Sequence, residues 1–204
     1  MDKIRCKWCN LKNPAYVRYH DEEWGTPVFQ DKKLLEFLIL EPFQAGLSWE
    51  TILNKRENFR EAFSDYSVDK ICQYGENEIA QLLQNSGIVR NRRKIEAAIN
   101  NARVFAEIQR EFGTFSNYIW HFTNGEIVYE TNKTCSLLSD KVAKDMKIRG
   151  MKFIGTTTVY SYLQAMGVIY SHEPECFMYK ENNILQKCKD NIMKNDSSNR
   201  NNLI

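Results

Sequence analysis

Two pairs of potential metal ligands stand near opposite ends of the 204-residue chain. Cys6 and His20 are separated by thirteen residues, and His172 and Cys176 by three. Two thiolates and two imidazoles suit the tetrahedral coordination of a structural zinc ion, which would join the chain ends and stabilise the fold. The alternative is that the cysteines are small buried apolar side chains and the histidines are ordinary hydrogen-bonded residues.

Cys9 leaves this ligand set open, because the segment Cys6-Lys7-Trp8-Cys9 is itself a CxxC motif. Either thiolate could be the fourth ligand. A redox enzyme that uses both cysteines is another interpretation, but no βαβ pattern surrounds the motif. The N-terminus has no apolar signal segment, so we expect a cytoplasmic protein whose thiols stay reduced.

A carboxylate stands among aromatic residues. Glu41 follows the apolar segment 34–40, and Gly46-Leu47 interrupts the chain before a helix that begins at Ser48. Aromatic faces with one carboxylate suit a pocket for an extruded purine, since stacking is worth roughly 1–3 kcal/mol per base and a carboxylate accepts from an exocyclic amino group. The alternative is a core of aromatic residues with Glu41 solvated at a helix end. The aromatic residues concerned are Trp8, Tyr16, Tyr19, Trp24 and Trp49.

A glycine-containing turn lies between two predicted helices. Gly150 and Gly155 flank the short piece Met151-Lys152-Phe153-Ile154. Such a turn exposes backbone N–H groups at the start of the second helix, where they can bind a DNA phosphate, as in a helix-hairpin-helix motif. The alternative is an ordinary connection in which Gly150 ends the first helix. The polar side chains that would assist phosphate binding are Arg149, Lys152, Thr156 and Thr157.

A second basic cluster, Arg90–Lys94, either contacts phosphate or forms a solvated helix start. The net charge of +2 neither requires nor excludes nucleic acid, because a binding face can be a local basic patch. The apolar fraction of 43% predicts a packed core, and no stretch approaches the roughly 20 apolar residues of a membrane span.

Helices must position these groups. Apolar residues at helical spacing predict helices at about 34–39, 48–63, 76–83, 94–112, 114–122, 138–146 and 155–167. Asp31 and Ser139 are the expected N-caps of the first and sixth of these helices, and Gly113 ends the long fourth helix. Strand alternation is almost absent apart from a brief extended piece within 126–134, so the predicted fold is all-α. We expect residues 1–180 to form one domain with a pocket between two helical lobes, and the polar segment 181–204 to be a disordered tail.

Several segments, in this order along the chain, resemble the 3-methyladenine DNA glycosylase I family. They cover the chain from about Cys6 to Cys176 and are long enough to be specific. The segments are Tyr19–Gly25 (YHDEEWG), Glu41 with Gln44–Trp49 (QAGLSW), Lys55–Arg60 (KRENFR), Gly87–Asn91 (GIVRN) and Arg149–Thr157 (RGMKFIGTT).

The resemblance implies an all-α helix-hairpin-helix glycosylase fold in which a structural zinc joins the N- and C-terminal segments. It places Cys6, His20, His172 and Cys176 at the zinc ligand positions. It also implies that Glu41 and Tyr19 read the base, Trp49 stacks on it, and Trp8 and Tyr16 complete the wall of the pocket. Leu47, with Gly46, would enter the duplex, and the hairpin residues Lys152, Gly155, Thr156 and Thr157 would contact DNA.

The implied activity is that of a monofunctional glycosylase, which excises 3-methyladenine from alkylated double-stranded DNA during base excision repair and releases the free base. Residues 168–172 contain no aspartate of the kind that supports hydrolysis in many glycosylases of this fold, and no lysine is nominated for strand cleavage. We expect a monomeric, bacterial-type cytoplasmic protein that reaches the nucleoid through DNA. The alternatives are a non-catalytic zinc-stabilised DNA-binding module and a zinc enzyme with an open coordination position. Cys9 and the long polar tail after Lys180 depart from the family pattern.

Overall fold

The computed structural model describes residues 3–180, so the predicted disorder of 181–204 lies outside the described residues. Within 3–180 the fold is all-α, as predicted. The helices are α1 (Pro14–Arg18), α2 (Asp31–Gln44), α3 (Trp49–Ala62), α4 (Val68–Cys72), α5 (Glu76–Gln84), α6 (Arg92–Phe112), α7 (Phe115–His121), α8 (Leu137–Ile148) and α9 (Thr156–Ala165). A π-helical turn (Tyr19–Glu23) continues α1, and a 3₁₀ turn (Ser64–Tyr66) follows α3. The helices of this part of the chain include none that is both long and apolar enough to cross a membrane.

Helix α2 is the centre of the core. It is buried from Leu34 to Phe43 without a polar face, and it packs against α3, α6, α7 and α9. A helix that is apolar all round must be surrounded by other elements. Because α2 is fixed on every side, it is a rigid support for the side chains of its last turn.

The prediction that Asp31 is the N-cap of α2 was wrong. Its carboxylate accepts the backbone N–H groups of Phe115 and Ser116, both at 2.8 Å, and the side-chain amide of Gln109 at 2.7 Å. Asp31 therefore satisfies the free N–H groups at the start of α7, where the helix dipole also favours an anion. The N-cap position of α2 is Gln30, which makes no side-chain cap.

The cap of α8 is Ser136 and not Ser139, although Ser139 takes part as the reciprocal partner in a capping box. Two extended residues, Val128–Tyr129 (β1), pair in parallel with Ile169–Tyr170 (β2), so the expected extended piece in 126–134 is confirmed. Helices α1 and α4 were not predicted because each has only five residues, too few to display a period.

The two ends of the described chain are joined by backbone contacts. Phe177 N–H donates to Ile4 at 2.8 Å, and Gly25 and Val28 donate to carbonyls at the C-terminal end of α9, at 3.0 Å each. Gly167, with φ +74, allows the closest approach, since an added Cβ would lie 2.4 Å from the carbonyl carbon of Thr26. These contacts bring the N-terminal aromatic residues against α9.

Candidate active site and metal centre

A cavity of about 310 Å³ opens between α2, α9 and the N-terminal segment. This volume lies at the lower end of the roughly 300–1,000 Å³ range of small-ligand pockets. All five predicted base-binding residues line it, together with Trp24 and with other side chains that the sequence did not nominate. The lining residues are Trp8, Tyr16, Tyr19, Trp24, Glu41, Gln44, Trp49, Asn132, Lys133, Ser161, Gln164, Ser171 and Glu173.

Glu41 is the buried acid of this cavity. It lies inside the last turn of α2 and not after the helix, and it is only 5% exposed. Burial alone raises the pKa of Glu41 to about 8, because no charge or hydrogen bond from the described residues offsets the loss of solvent. The alternative of a solvated helix end was therefore wrong. An unpartnered buried carboxylate is an attractive position for a cation or a hydrogen-bond donor.

Aromatic rings enclose the carboxyl group. The rings of Tyr19 and Trp49 lie 5.4 Å apart, and those of Trp8 and Tyr16 lie 5.6 Å apart. The indole N–H of Trp49 is buried and has no hydrogen-bond partner within residues 3–180. Burial and the nearby Glu41 hold the pKa of Tyr19 well above its ordinary value, so its hydroxyl stays protonated and can donate. The cavity thus offers flat apolar faces, one buried acid and the hydroxyl of Tyr19 as a donor.

Tyr19 and His20 are adjacent in the π-helical turn but serve different clusters. Tyr19 lines the cavity, whereas His20 is completely buried beside the two other predicted ligands from the C-terminal segment. The turn ends on a backbone hydrogen bond of 2.9 Å from Trp24 to Tyr19. Single π-turns often occur at functional sites because they redirect neighbouring side chains.

The four predicted metal ligands come together. One ligand atom each of Cys6, His20, His172 and Cys176 lies within 4.8 Å of the other three, and all four residues are buried. An ion about 2.3 Å from sulfur and about 2.0–2.1 Å from nitrogen would separate the two atoms by about 3.5 Å at the tetrahedral angle. Cys6 Sγ to His172 Nδ1 is 3.4 Å, Cys176 Sγ to His20 Nε2 is 3.4 Å, and Cys176 Sγ to His172 Nδ1 is 3.5 Å. These distances fit one tetrahedral ion.

The outward nitrogen of each histidine is held by an oxygen. His20 Nδ1–H donates to Asp21 at 2.8 Å, and His172 Nε2–H donates to the carbonyl of Trp24 at 3.3 Å. Arg5 donates two hydrogen bonds, at 2.8 and 2.6 Å, to Asp21. Such outer contacts orient metal-ligating histidines and fix their tautomers.

Cys9 does not belong to this cluster. Its thiol points to the carbonyl of Tyr16 at 3.9 Å, while Cys6 Sγ accepts the backbone N–H of Glu173 at 3.4 Å. The fourth residue of the cluster is therefore Cys6 and not Cys9, as the resemblance implied. Burial raises the pKa of Cys6 to about 12, against the hydrogen bond from Glu173, and lowers that of His172 to about 4. A bound cation would stabilise the thiolate form of Cys6.

Residues 45–47, which we call the wedge loop, leave the cavity towards solvent. Gly46 has φ +82 with open space around it, and Leu47 is 41% exposed although it is apolar. Ser48 ends the loop and caps α3 by accepting the N–H of Thr51 at 3.1 Å. The loop therefore presents an apolar side chain beside the cavity on a tightly defined backbone.

The glycine hairpin connects α8 to α9. Gly150 has φ +95, and Gly155 is the N-cap position of α9. Lys152, Gly155 and Thr157 are exposed. The hydroxyl of Thr156 is already hydrogen-bonded to Ser139 at 2.8 Å.

Two neighbouring residues of α6 bond the backbone of this hairpin: Asn100 donates to the carbonyl of Gly150 at 2.9 Å, and Asn101 pairs with Lys152. Asn101, which is 1% exposed on α6, bonds both the N–H and the carbonyl of Lys152, at 2.8 and 2.9 Å. The guanidinium of Arg149, which the sequence suggested as a phosphate contact, pairs with Asp145 at 2.8 Å and with Glu111 at 2.6 Å.

Some cavity residues could have been found from the sequence. Ser161 and Gln164 are three apart on α9, a spacing that places them on one helix face. Asn132 and Lys133 carried no signal, because they lie in an irregular loop whose position depends on the β1–β2 pairing.

Known proteins resemble this chain along most of its length. The profile of the methyladenine glycosylase family matches residues 8–179. DNA-3-methyladenine glycosylase 1 of Escherichia coli K12 is 40% identical over 184 residues, covering 87% of this chain and 98% of that protein. DNA-3-methyladenine glycosylase of Haemophilus influenzae is 39% identical over 178 residues, covering 84% and 96%.

Solved structures agree with the sequence matches. A crystal structure of 3-methyladenine DNA glycosylase I superposes with a TM-score of 0.83 at 40% identity, covering 87% of this chain and all of the other. The Staphylococcus aureus enzyme, whose recognition of 3-methyladenine has been described structurally, gives 0.82 at 35% identity, with 88% and 100% covered. The chain therefore belongs to the methyladenine glycosylase family.

Proposed function

We propose that this protein excises 3-methyladenine from alkylated DNA as a monofunctional glycosylase in base excision repair. The relatives are DNA-3-methyladenine glycosylases, and one related structure is a complex with 3-methyladenine. The observation that carries the proposal is the position of Glu41. Its carboxyl group is buried and unpaired in an aromatic cavity large enough for a base.

The reaction needs little machinery because the substrate bond is already weak. Alkylation at N3 makes adenine a cation, so the base leaves as a neutral molecule when the C1′–N9 bond breaks and takes the bonding pair. Water then adds to C1′ of the sugar and loses a proton to solvent. The enzyme must extrude the nucleotide, bind the base and stabilise the departing state.

Each cavity residue has a role in that sequence. The carboxylate of Glu41 attracts the cationic base and accepts from its amino group, and Tyr19 donates beside it. Trp49 stacks on the ring, where cation–π attraction favours a charged base over ordinary adenine. Trp8 and Tyr16 close the opposite wall. None of these groups forms a covalent bond to the sugar, so we expect no strand cleavage.

Contacts with DNA come from two surfaces. Leu47, supported by Gly46, fills the gap that the extruded nucleotide leaves in the stack. The hairpin supports the duplex through the exposed N-terminal N–H groups of α9 at Gly155 and Thr157, with Lys152 as the neighbouring cation. Thr156 acts there through its backbone, because its hydroxyl is bonded to Ser139.

The test is chromatography of the bases released from alkylated DNA by the purified protein. We expect free 3-methyladenine, little undamaged adenine, and no strand breaks without added base. Release of no base would identify a non-catalytic DNA-binding module instead. Comparable release from damaged and undamaged DNA would contradict the role of charge in recognition.

The donor set of the metal centre suits zinc, which would be held by Cys6, His20, His172 and Cys176. Four protein ligands leave no position for water, so the ion would stabilise the fold and take no part in the reaction. Elemental analysis should give one zinc per chain, and His172→Ala should lower the thermal midpoint. His121→Ala, on α7, is the matched control. A metal-free protein of unchanged stability would exclude the site.

A further inference from the structure

Lys94 is a buried cation at the unfavourable end of a helix. It lies in the first turn of α6, is 8% exposed, and has no acidic residue in that turn. The positive end of the helix dipole disfavours a cation there, and burial removes it from water. Burial accordingly lowers the pKa of Lys94. The sequence left Lys94 as a phosphate contact or a solvated residue, and its burial agrees with neither.

The compensation for this cost comes from α2. Lys94 Nζ donates to the carbonyl of Phe43 at 3.0 Å and to that of Ala45 at 2.6 Å. Carbonyls at the end of a helix lack partners within the helix, and the dipole favours a cation at this end. The neighbouring Arg92 differs, because it is exposed and pairs with Glu76 and Glu96.

These two carbonyls bracket the point where α2 becomes the wedge loop. Ala45 is the first residue of that loop, and Leu47 follows two residues later. At the far end the loop is fixed by the Ser48 cap. Lys94 therefore sets the direction in which the loop leaves the helix, although its own side chain does not line the cavity.

We propose that Lys94 is a positioning residue for base extrusion, which holds the wedge loop ready so that Leu47 can enter the duplex. The inference rests on the proposed function, since it assigns Lys94 a part in delivering the nucleotide to the Glu41 cavity. A loop fixed before binding loses less conformational entropy when it meets DNA. Without the ammonium group, the loop must be ordered at the moment of extrusion.

The test compares Lys94→Met with Arg103→Met. Arg103 is also on α6, nine residues after Lys94, and also donates to carbonyls at the end of a helix, those of Cys72 and Tyr74. We expect Lys94→Met to lower kcat/KM for excision from duplex DNA about tenfold, since two charged hydrogen bonds are lost. Arg103→Met should stay within about twofold of the wild type, and free 3-methyladenine should bind Lys94→Met as tightly as the wild type.

A double-mutant cycle with Leu47→Ala separates positioning from general stability. If Lys94 acts through Leu47, adding Lys94→Met to Leu47→Ala should cost less than about twofold. The inference is overturned if Lys94→Met lowers kcat/KM as much in the Leu47→Ala background as in the wild type. It is also overturned if Lys94→Met weakens binding of free 3-methyladenine by the same factor, or leaves excision from duplex DNA unchanged. Lys94→Gln, which keeps a neutral donor, replaces Lys94→Met in the same measurements if that variant does not fold. Failure of the wild type to release 3-methyladenine would instead refute the proposed function.

Discussion

Replacing Glu41 with glutamine should stabilise the protein and slow excision in the same variant. The carboxyl group is buried without a partner, and burial raises its pKa from 4.5 to about 8. Ionising it in the folded state is therefore costly, whereas in the unfolded chain it ionises freely. An amide has nearly the same shape and no charge, so the variant avoids this cost and also loses the group that attracts a cationic base.

The magnitude depends on pH in a defined direction. A folded-state pKa above the unfolded value means that stability is greatest below pH 4.5 and falls as pH rises towards 8. At about 1.36 kcal/mol per pKa unit, the full loss approaches 5 kcal/mol, with under about 1 kcal/mol of it present at pH 5. Glu41→Gln should recover most of this loss at pH 8 and almost none at pH 5.

Urea unfolding at pH 5 and pH 8 measures both values. Glu36→Gln is the matched control on the same helix, because Glu36 is also buried but pairs with Arg56 at 2.6 Å and with Lys33 at 2.8 Å. That variant removes one of the two carboxylates that Arg56 and Lys33 share, leaving these partly buried cations with Glu23 alone, and should be destabilised. The measured quantity is the gain in the free energy of unfolding that Glu41→Gln brings over the wild type. A gain that is no larger at pH 8 than at pH 5 would refute the account of the unpaired carboxyl group.

Three further results are expected. In the wild type, kcat/KM should rise with pH up to about 8, because the carboxylate form of Glu41 is the active one. A Glu41→Gln enzyme should lose that rise, and a variant that kept it would show that another group titrates. Trp49→Ala should weaken binding of free 3-methyladenine by about 1–3 kcal/mol by calorimetry, while Trp49→Phe retains most of the affinity; equal losses would argue against stacking. Gly167→Ala should lower the free energy of unfolding far more than Gly125→Ala. Both glycines have positive φ, but only at Gly167 would an added Cβ meet the backbone of Thr26. Equal losses would show that the backbone strain of positive φ is the whole cause.

The sequence predicted most of the helices because their apolar faces repeat regularly over several turns. α6 is an example, since its buried residues follow one stripe for 21 residues and Gly113 ends it with φ +80. Caps were less predictable. Asp31 precedes an apolar run and has the residue type of an N-cap, but its carboxylate serves α7, more than eighty residues later. Local sequence cannot distinguish these two partners, because the choice depends on how the helices pack.

The site was predicted by another route. Residue spacing alone did not distinguish Cys6 from Cys9 as a metal ligand, and it did not show whether Glu41 lines a pocket. The family resemblance made both choices. The buried cation Lys94 was hidden in a run of basic residues that indicates a solvated surface. Its burial depends on the distance between α6 and the end of α2, which no local pattern encodes.

The unpaired acid and the metal centre are related parts of one arrangement. A carboxyl group with no partner is tolerated only where the surrounding structure is held firmly, since the chain would otherwise relax and solvate it. Here α2 holds the acid from one side. From the other side, the ring centroid of Trp8 lies 4.7 Å from that of Trp24 and 5.2 Å from that of His20, so the proposed metal ligands support the aromatic wall. In the proposed function, a cationic base would supply the missing partner and recover this cost as binding energy, whereas neutral adenine would not. We therefore expect selectivity for the charged lesion to depend on the cost of burying Glu41, which the fold maintains.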